Sequence, residues 1–234
     1  MRLALIVPGF SENENDWCIP ALRDFVTTLA ITDDVCVVAL RYPQVNGSYS
    51  VFGAKVIALG GGTGRGVRAL DLWRRALGTV ISEHRRRRFD VIHAFWADEP
   101  GIIAALAGKI LRVPSLVSLC GGELVGFSDI DYGGQLAPFQ RAKTDLALRL
   151  ASEVTAGSRY EQRLAARQVQ RLHARPPLLR PLGVDVRRFA PRWESRHSEG
   201  AGMGTASHRG SDARPRCAGR RLRRLAGSGP RGGW

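Results

Sequence analysis

The 234-residue chain is 44% hydrophobic and 24% charged, with a formal net charge of +14, an ordinary globular composition carrying an unusual basic excess. No stretch approaches the ~18 apolar residues of a membrane span, and the amino-terminal apolar run stops at Pro8, too short for a signal-peptide core. Cys18, Cys36, Cys120 and Cys217 form no Cys-x-x-Cys pair and have no histidine at metal-ligand spacing, so no metal is expected and a reduced, cytoplasmic setting fits.

Leu3–Val7 is a continuous apolar run closed by Pro8-Gly9, as for a strand buried on both faces. After a polar loop, Leu22, Phe25, Val26 and Leu29 fall at helical spacing. Val35–Leu40 and Lys55–Leu59 read as a second and third strand, and Gly60–Gly66 is a glycine loop. Leu70, Trp73, Leu77, Val80, Ile81 and His84 then trace one face of a long helix ending at Arg85–Arg88. Asp90–Phe95 is a fourth strand, and Pro100 opens a helix to about Leu111. Ser115–Leu119 is a fifth strand, Phe139–Leu150 a helix, Val154–Ala156 a sixth strand and Arg159–Gln168 a helix. This alternation predicts an α/β fold, a doubly wound, mostly parallel Rossmann-like sheet, with ligands beyond the carboxyl ends of the strands.

Residues just after each strand are therefore the functional candidates. After the first strand, Gly9, Phe10, Asp16 and Trp17 form a loop that either binds hydroxyls or is an ordinary turn with Asn15 or Asp16 capping the next helix. After the fourth, Trp96 offers a ring that suits a sugar face, and Asp98 either binds a sugar hydroxyl or caps the Pro100 helix. His93 lies inside that strand, where a packed, hydrogen-bonded imidazole is the simpler reading. After the fifth, Gly121-Gly122-Glu123 places an acid behind two permissive glycines, and Tyr132-Gly133 belongs to a second acidic, aromatic loop. The glycine loop matches neither phosphate-binding pattern and reads as a flexible connector. The first strand also lacks a dinucleotide glycine fingerprint, which argues against a nicotinamide-dependent oxidoreductase. The arginines at 85–88 read as a solvated helix end, the sharper alternative being a patch facing anionic lipid.

From Arg192 onward apolar periodicity stops. Ten arginines stand against three acids there, half of the chain's excess charge. Residues 192–234 are expected to be a disordered basic Gly/Arg/Ser-rich tail, either a frameshift product or a basic arm. With only Trp193 and Trp234 as aromatics in that stretch, nucleic acid is not the favoured partner.

The first strand with its glycine loop, Asp90–Ala94, Ser118–Glu123, Ala151–Ser158 and Gly183-Val184-Asp185-x-x-x-Phe189-x-Pro191 together resemble the amino-terminal, acceptor-binding domain of GT-B glycosyltransferases of the retaining family 4. The likeness covers roughly residues 1–191, with Gly183, Val184 and Asp185 at the interdomain junction. Relatives commonly carry a histidine before the glycine that is Gly121, and Cys120 stands there in this chain. The resemblance implies hexosyl transfer with retention, from a nucleotide-sugar held by a second domain to a carbohydrate or lipid-linked acceptor, with no metal or other cofactor. The motifs of that donor domain do not follow Arg192. The expectation is an acceptor-binding half, inactive alone, cytoplasmic and able to sit peripherally at the inner membrane face. The alternative is a non-catalytic binding module, either a subunit of a split enzyme or an Arg-tailed nucleic-acid binder.

Overall fold

We describe the protein from a computed structural model covering residues 1–16, 18–64, 66–171 and 175–183. Eight strands form one sheet in the order β3-β4-β2-β1-β5-β6-β7-β8. These are β1 (Arg2–Gly9), β2 (Asp34–Tyr42), β3 (Asn46–Val51), β4 (Ala54–Leu59), β5 (Val91–Phe95), β6 (Ser115–Leu119), β7 (Glu153–Ala156) and β8 (Leu178–Leu179). All neighbouring pairs are parallel except β3 with β4. The helices are α1 (Pro20–Leu29), α2 (Val67–Arg86), α3 (Glu99–Leu111), α4 (Pro138–Leu150) and α5 (Arg159–Arg171).

The six strands and five helices read from hydrophobic pattern are present, and two strands join them. β3 is polar along most of its length, Asn46-Gly47-Ser48-Tyr49-Ser50. It pairs back on β4 through Phe52 and Gly53, whose φ values of 51° and 75° are those of a type I′ hairpin turn. Phe52 is an unusual residue for that position. Its ring is held edge-on against Phe10, with centroids 6.4 Å apart. β8 has only two residues and pairs with Thr155 and Ala156.

The two faces of the sheet are covered unequally. Leu22 and Val26 of α1 pack on Leu5, Val7, Val37 and Ala39. On the opposite face, Leu72, Ala76 and Val80 of α2, with Ile103 and Ala107 of α3, meet Ala4, Ile6, Val38 and Ala94. Ala147 and Leu148 of α4, with Ala165 and Val169 of α5, meet Val117, Leu119, Val154 and Ala156. The buried stripe of α2 runs through Leu72, Ala76, Val80 and Glu83, so the face predicted from sequence was rotated, and Leu70 is 62% exposed. Glu83 is tolerated in that stripe because Arg2, Lys55 and Arg86 surround it. Among the described residues α1 is the one helix on its face of the sheet, and beside it none covers β6 and β7.

Candidate functional site

β5, β6 and β7 end side by side, and Phe95, Ser118 and Thr155 are register neighbours on the α1 side. They floor a cleft of ≈ 530 Å³ walled by Cys120, Gly122, Tyr132 and Tyr160 and, beyond β8, by Arg180 and Leu182. Below the floor, His93 Nε2 lies 2.8 Å from Ser118 Oγ, which lies 2.7 Å from Thr155 Oγ1. The imidazole is buried between Phe25 and Phe95, and desolvation holds its pKa down at about 4. It is neutral at physiological pH and borders the cleft through the two hydroxyls and the Phe95 ring.

Glu123 ties the ends of β5 and β6 together. Its Oε1 accepts hydrogen bonds from the Cys120 amide at 3.2 Å and the Ala97 amide at 3.3 Å, while its Oε2 is buried with no partner among the described residues. The residue is 8% exposed, and burial raises its pKa against those amide bonds. Next to it, Asp98 stands at the N-cap of α3 without a side-chain cap. Asp98 Oδ1 is likewise buried without a partner. Burial pushes this carboxyl up to about 6, Lys143 working against the shift and Glu123 and Glu99 with it. A buried oxygen lacking a donor is costly, which makes both acids candidate acceptors at the rim. Trp96, between β5 and Asp98, has φ 72°, a strained conformation of the kind that gathers at functional sites.

The glycines here serve packing. A side chain at Gly122 would meet the Tyr132 hydroxyl at 2.9 Å, and one at Gly133, with φ 117°, would collide with the Val125 carbonyl. Phe127 and Tyr132 exchange backbone hydrogen bonds and stack their rings 6.4 Å apart, which holds Tyr132 upright. A second cleft of ≈ 340 Å³ lies on its other side, between Trp96, Asp98, Glu123, Gly133 and Thr144. A third, ≈ 680 Å³, adjoins the second at Asp98 and Gln140 and extends under the glycine loop. The three make one groove along the carboxyl rim.

Of the residues named from sequence, Trp96, Gly121, Gly122, Glu123, Tyr132 and Gly133 meet in this groove. Among the described residues of the loop after β1, none lines any of the three clefts. Phe10 is core, 1% exposed. Gly9 lets β1 approach β2, since a side chain there would press on Tyr42 and Cys18. Asp16 does not cap α1, whose N-cap is Ile19; it accepts from the Glu12 amide and the Tyr42 hydroxyl, bracing the loop. Gly183 has open space around it; Trp17, Val184 and Asp185, and the 192–234 segment, lie outside the described residues. Cys120 is not a nucleophile at neutral pH, because burial pushes its thiol up to about 12. Ser158 and Glu161 cap the α5 N-terminus, Ser158 accepting from the Glu161 amide and Glu161 from the Gly157 amide one residue before the cap. Sequence reading missed Arg41, Gln140, Lys143 and Arg180. Only Arg41 carried a signal, standing directly after the apolar run of β2.

Among the described residues no group of three or more His, Cys, Asp or Glu is placed to hold a metal ion, and no helix is long and apolar enough to cross a membrane.

Residues 22–177 match a family model described as a glycosyl transferase 4-like domain. No curated protein sequence matches the chain. Among solved structures, sucrose-phosphate synthase from Thermosynechococcus elongatus is similar with a TM-score of 0.54 and 14% identity, over 80% of this chain and 49% of that one. UDP-GlcNAc 2-epimerase from Methanocaldococcus jannaschii, in complex with UDP-GlcNAc and UDP, is similar with a TM-score of 0.50 and 15% identity, over 78% and 46%. The chain spans just under half the length of either structure.

Proposed function

The chain belongs to the glycosyl transferase 4-like family, and from that premise we propose that it is the acceptor-binding half of a retaining, hexose-transferring GT-B enzyme. The observation that carries the reading is Glu123, a lining residue of the second cleft that fixes two strand ends with one oxygen while its other, buried oxygen has no partner among the described residues. Glu123 and Asp98 accept from hydroxyls of a carbohydrate or lipid-linked acceptor, while the Trp96 and Tyr132 rings give its apolar faces a surface. The nucleotide-sugar is held by a separate donor-binding domain facing this rim. A structure of similar fold is in complex with UDP-GlcNAc and UDP, which supports a nucleotide-sugar as the donor class.

Alone, the chain is expected to transfer no sugar from any nucleotide-sugar above background, and to gain activity when a family donor domain is supplied. Saturation-transfer NMR with mono- and oligosaccharides tests acceptor binding directly. Glu123→Gln keeps the acceptor oxygen for both amides and turns the free oxygen into a donor. It is expected to weaken sugar binding about tenfold, the worth of one hydrogen bond to a charged group. Sugars that bind the variant and the parent equally would remove Glu123 from the site.

A further inference from the structure

The sheet ends differently on its two sides. On one side β8 offers a neighbour only two residues, too few to template pairing. On the other, β3 runs for six residues, Asn46–Val51, in unbroken register with β4. It carries none of the devices that guard an edge, having no charged residue, no proline and no bulge. Because the turn at Phe52 and Gly53 has two residues, Val51 and Ala54 form the first hydrogen-bonded pair of the hairpin. Tyr49 and Gly47 bond to β4 likewise. The backbone N–H and C=O groups of Asn46, Ser48 and Ser50 therefore point away from β4, and they have no backbone partner among the described residues.

The side chains of those three residues share the α2 face, where Ser48 lines a fourth cleft of ≈ 500 Å³ between the hairpin and the helix. Three cations, Lys55, Arg75 and Arg86, line it against one acid, Glu83. Glu83 is 5% exposed and shares its charge among Arg2, Lys55 and Arg86, so the cleft keeps a positive surplus. Asn46 holds Arg75 beside β3, its Oδ1 accepting from Nη1 at 3.2 Å. Gly78 sits inside α2, where glycine is the poorest helix former short of proline, and a side chain there would meet nothing within 4 Å. Packing does not require that glycine; its effect is to keep the helix wall flat beside the cations.

We propose that this edge binds an acidic, extended segment of another protein, which pairs antiparallel with β3 as a further strand and sets alternate carboxylates against Lys55, Arg75 and Arg86. Charge complementarity selects that occupant. Residues opposite Ser48 and Ser50 put their side chains on the α2 face, and the short serines leave them a clear line to the cations. Antiparallel addition continues the hairpin and gives the stronger ladder. The partner's pattern follows from the alternation: acids at every second residue, with β-formers between them. The fourth cleft shares no lining residue with the three at the rim, so the proposal stands independently of the acceptor reading.

Fluorescence anisotropy on the full chain compares a short labelled peptide of alternating glutamate and valine with one in which lysine replaces glutamate. The acidic peptide is expected to bind at least about tenfold more tightly, the worth of one charge-assisted hydrogen bond. N-methylation of its glutamates, whose amides face β3, is expected to abolish binding. N-methylation of its valines, whose amides face solvent, is expected to leave it unchanged. Gly78→Glu sets a repelling carboxylate in the cleft and replaces an unpacked helix glycine, so the thermal melt is expected to rise as binding is lost. Ser48→Pro removes an outward amide that β4 does not use and is expected to abolish binding as well. Equal affinity of the two peptides, binding that ignores where the methyl groups stand, or binding that survives Gly78→Glu would overturn the proposal. Self-association of the chain in sedimentation, abolished by Ser48→Pro and undisturbed by the acidic peptide, gives the edge to a second copy and overturns it too.

Discussion

Two ionisable side chains, His93 buried within β5 and Asp98 half-buried at the start of α3, are shifted in opposite directions, and both consequences fall in one pH window. His93, held down at about 4, binds fewer protons in the folded chain than in the unfolded one, so its contribution to stability falls as pH drops from about 6.5 toward 4. Asp98, pushed up to about 6 from 3.8, binds more protons when folded, so its contribution falls as pH rises through the same interval. Asp98→Asn removes the second effect alone. Its stability relative to the parent is expected to rise by on the order of 2–3 kcal/mol between pH 4 and 6, measured by urea unfolding at each pH. A difference that stays flat over that range would mean Asp98 ionises as it does in water. Residue identity announced part of this site: two glycines and an acid after an apolar run read directly as a rim loop. Lys143 gave no such sign, because a lysine in an amphipathic helix looks solvated until the neighbouring helix and loop enclose it.

Whole elements were legible where apolar pattern dominates, and β3 escaped because five of its six residues are polar or glycine and its turn is Phe-Gly. The glycine loop escaped differently. Its order comes from Arg41 and Glu99, 58 residues apart in sequence. Arg41→Ala should therefore cost about 3 kcal/mol, since it strands a largely buried carboxylate. Changing both residues to methionine should cost less than Arg41→Ala, and denaturant melts of the two variants decide between a charge penalty and lost packing. Helix α2 meets two kinds of glycine, one in the loop packed against it and one within it. At Gly61 a methyl group would press on Leu72 and lie 2.7 Å from the Leu40 carbonyl, whereas at Gly78 it meets nothing within 4 Å. Gly61→Ala should lose about 1–3 kcal/mol, and Gly78→Ala should gain about 0.5–1 kcal/mol, being inside α2. Equal melting temperatures for the pair would contradict the packing of the loop onto Leu72.

Across the molecule, β1 lies between β2 and β5, the point at which the strand order turns from one side of the sheet to the other. The alternating pattern implied this topology, but not the unequal helix cover, which follows from crossover handedness and the direction in which the strands are added. Amide hydrogen exchange should show the gradient among the described residues: slowest in β1, β2 and β5, near the middle of the eight-stranded sheet, and fastest in the exposed excursion through residues 126–132. Comparable protection in that excursion would mean it is clamped by contacts other than the Phe127–Tyr132 pairing. Because β1 is parallel to its neighbours, Met1 emerges at the end of the sheet away from the rim, its ammonium 2.7 Å from Asp33, whereas Arg180 and Leu182 stand at the lip of the first cleft. An affinity tag or fluorophore for the binding experiments therefore belongs on the amino terminus, where it forfeits only a solvent-facing ion pair of small worth and stays clear of ligand traffic.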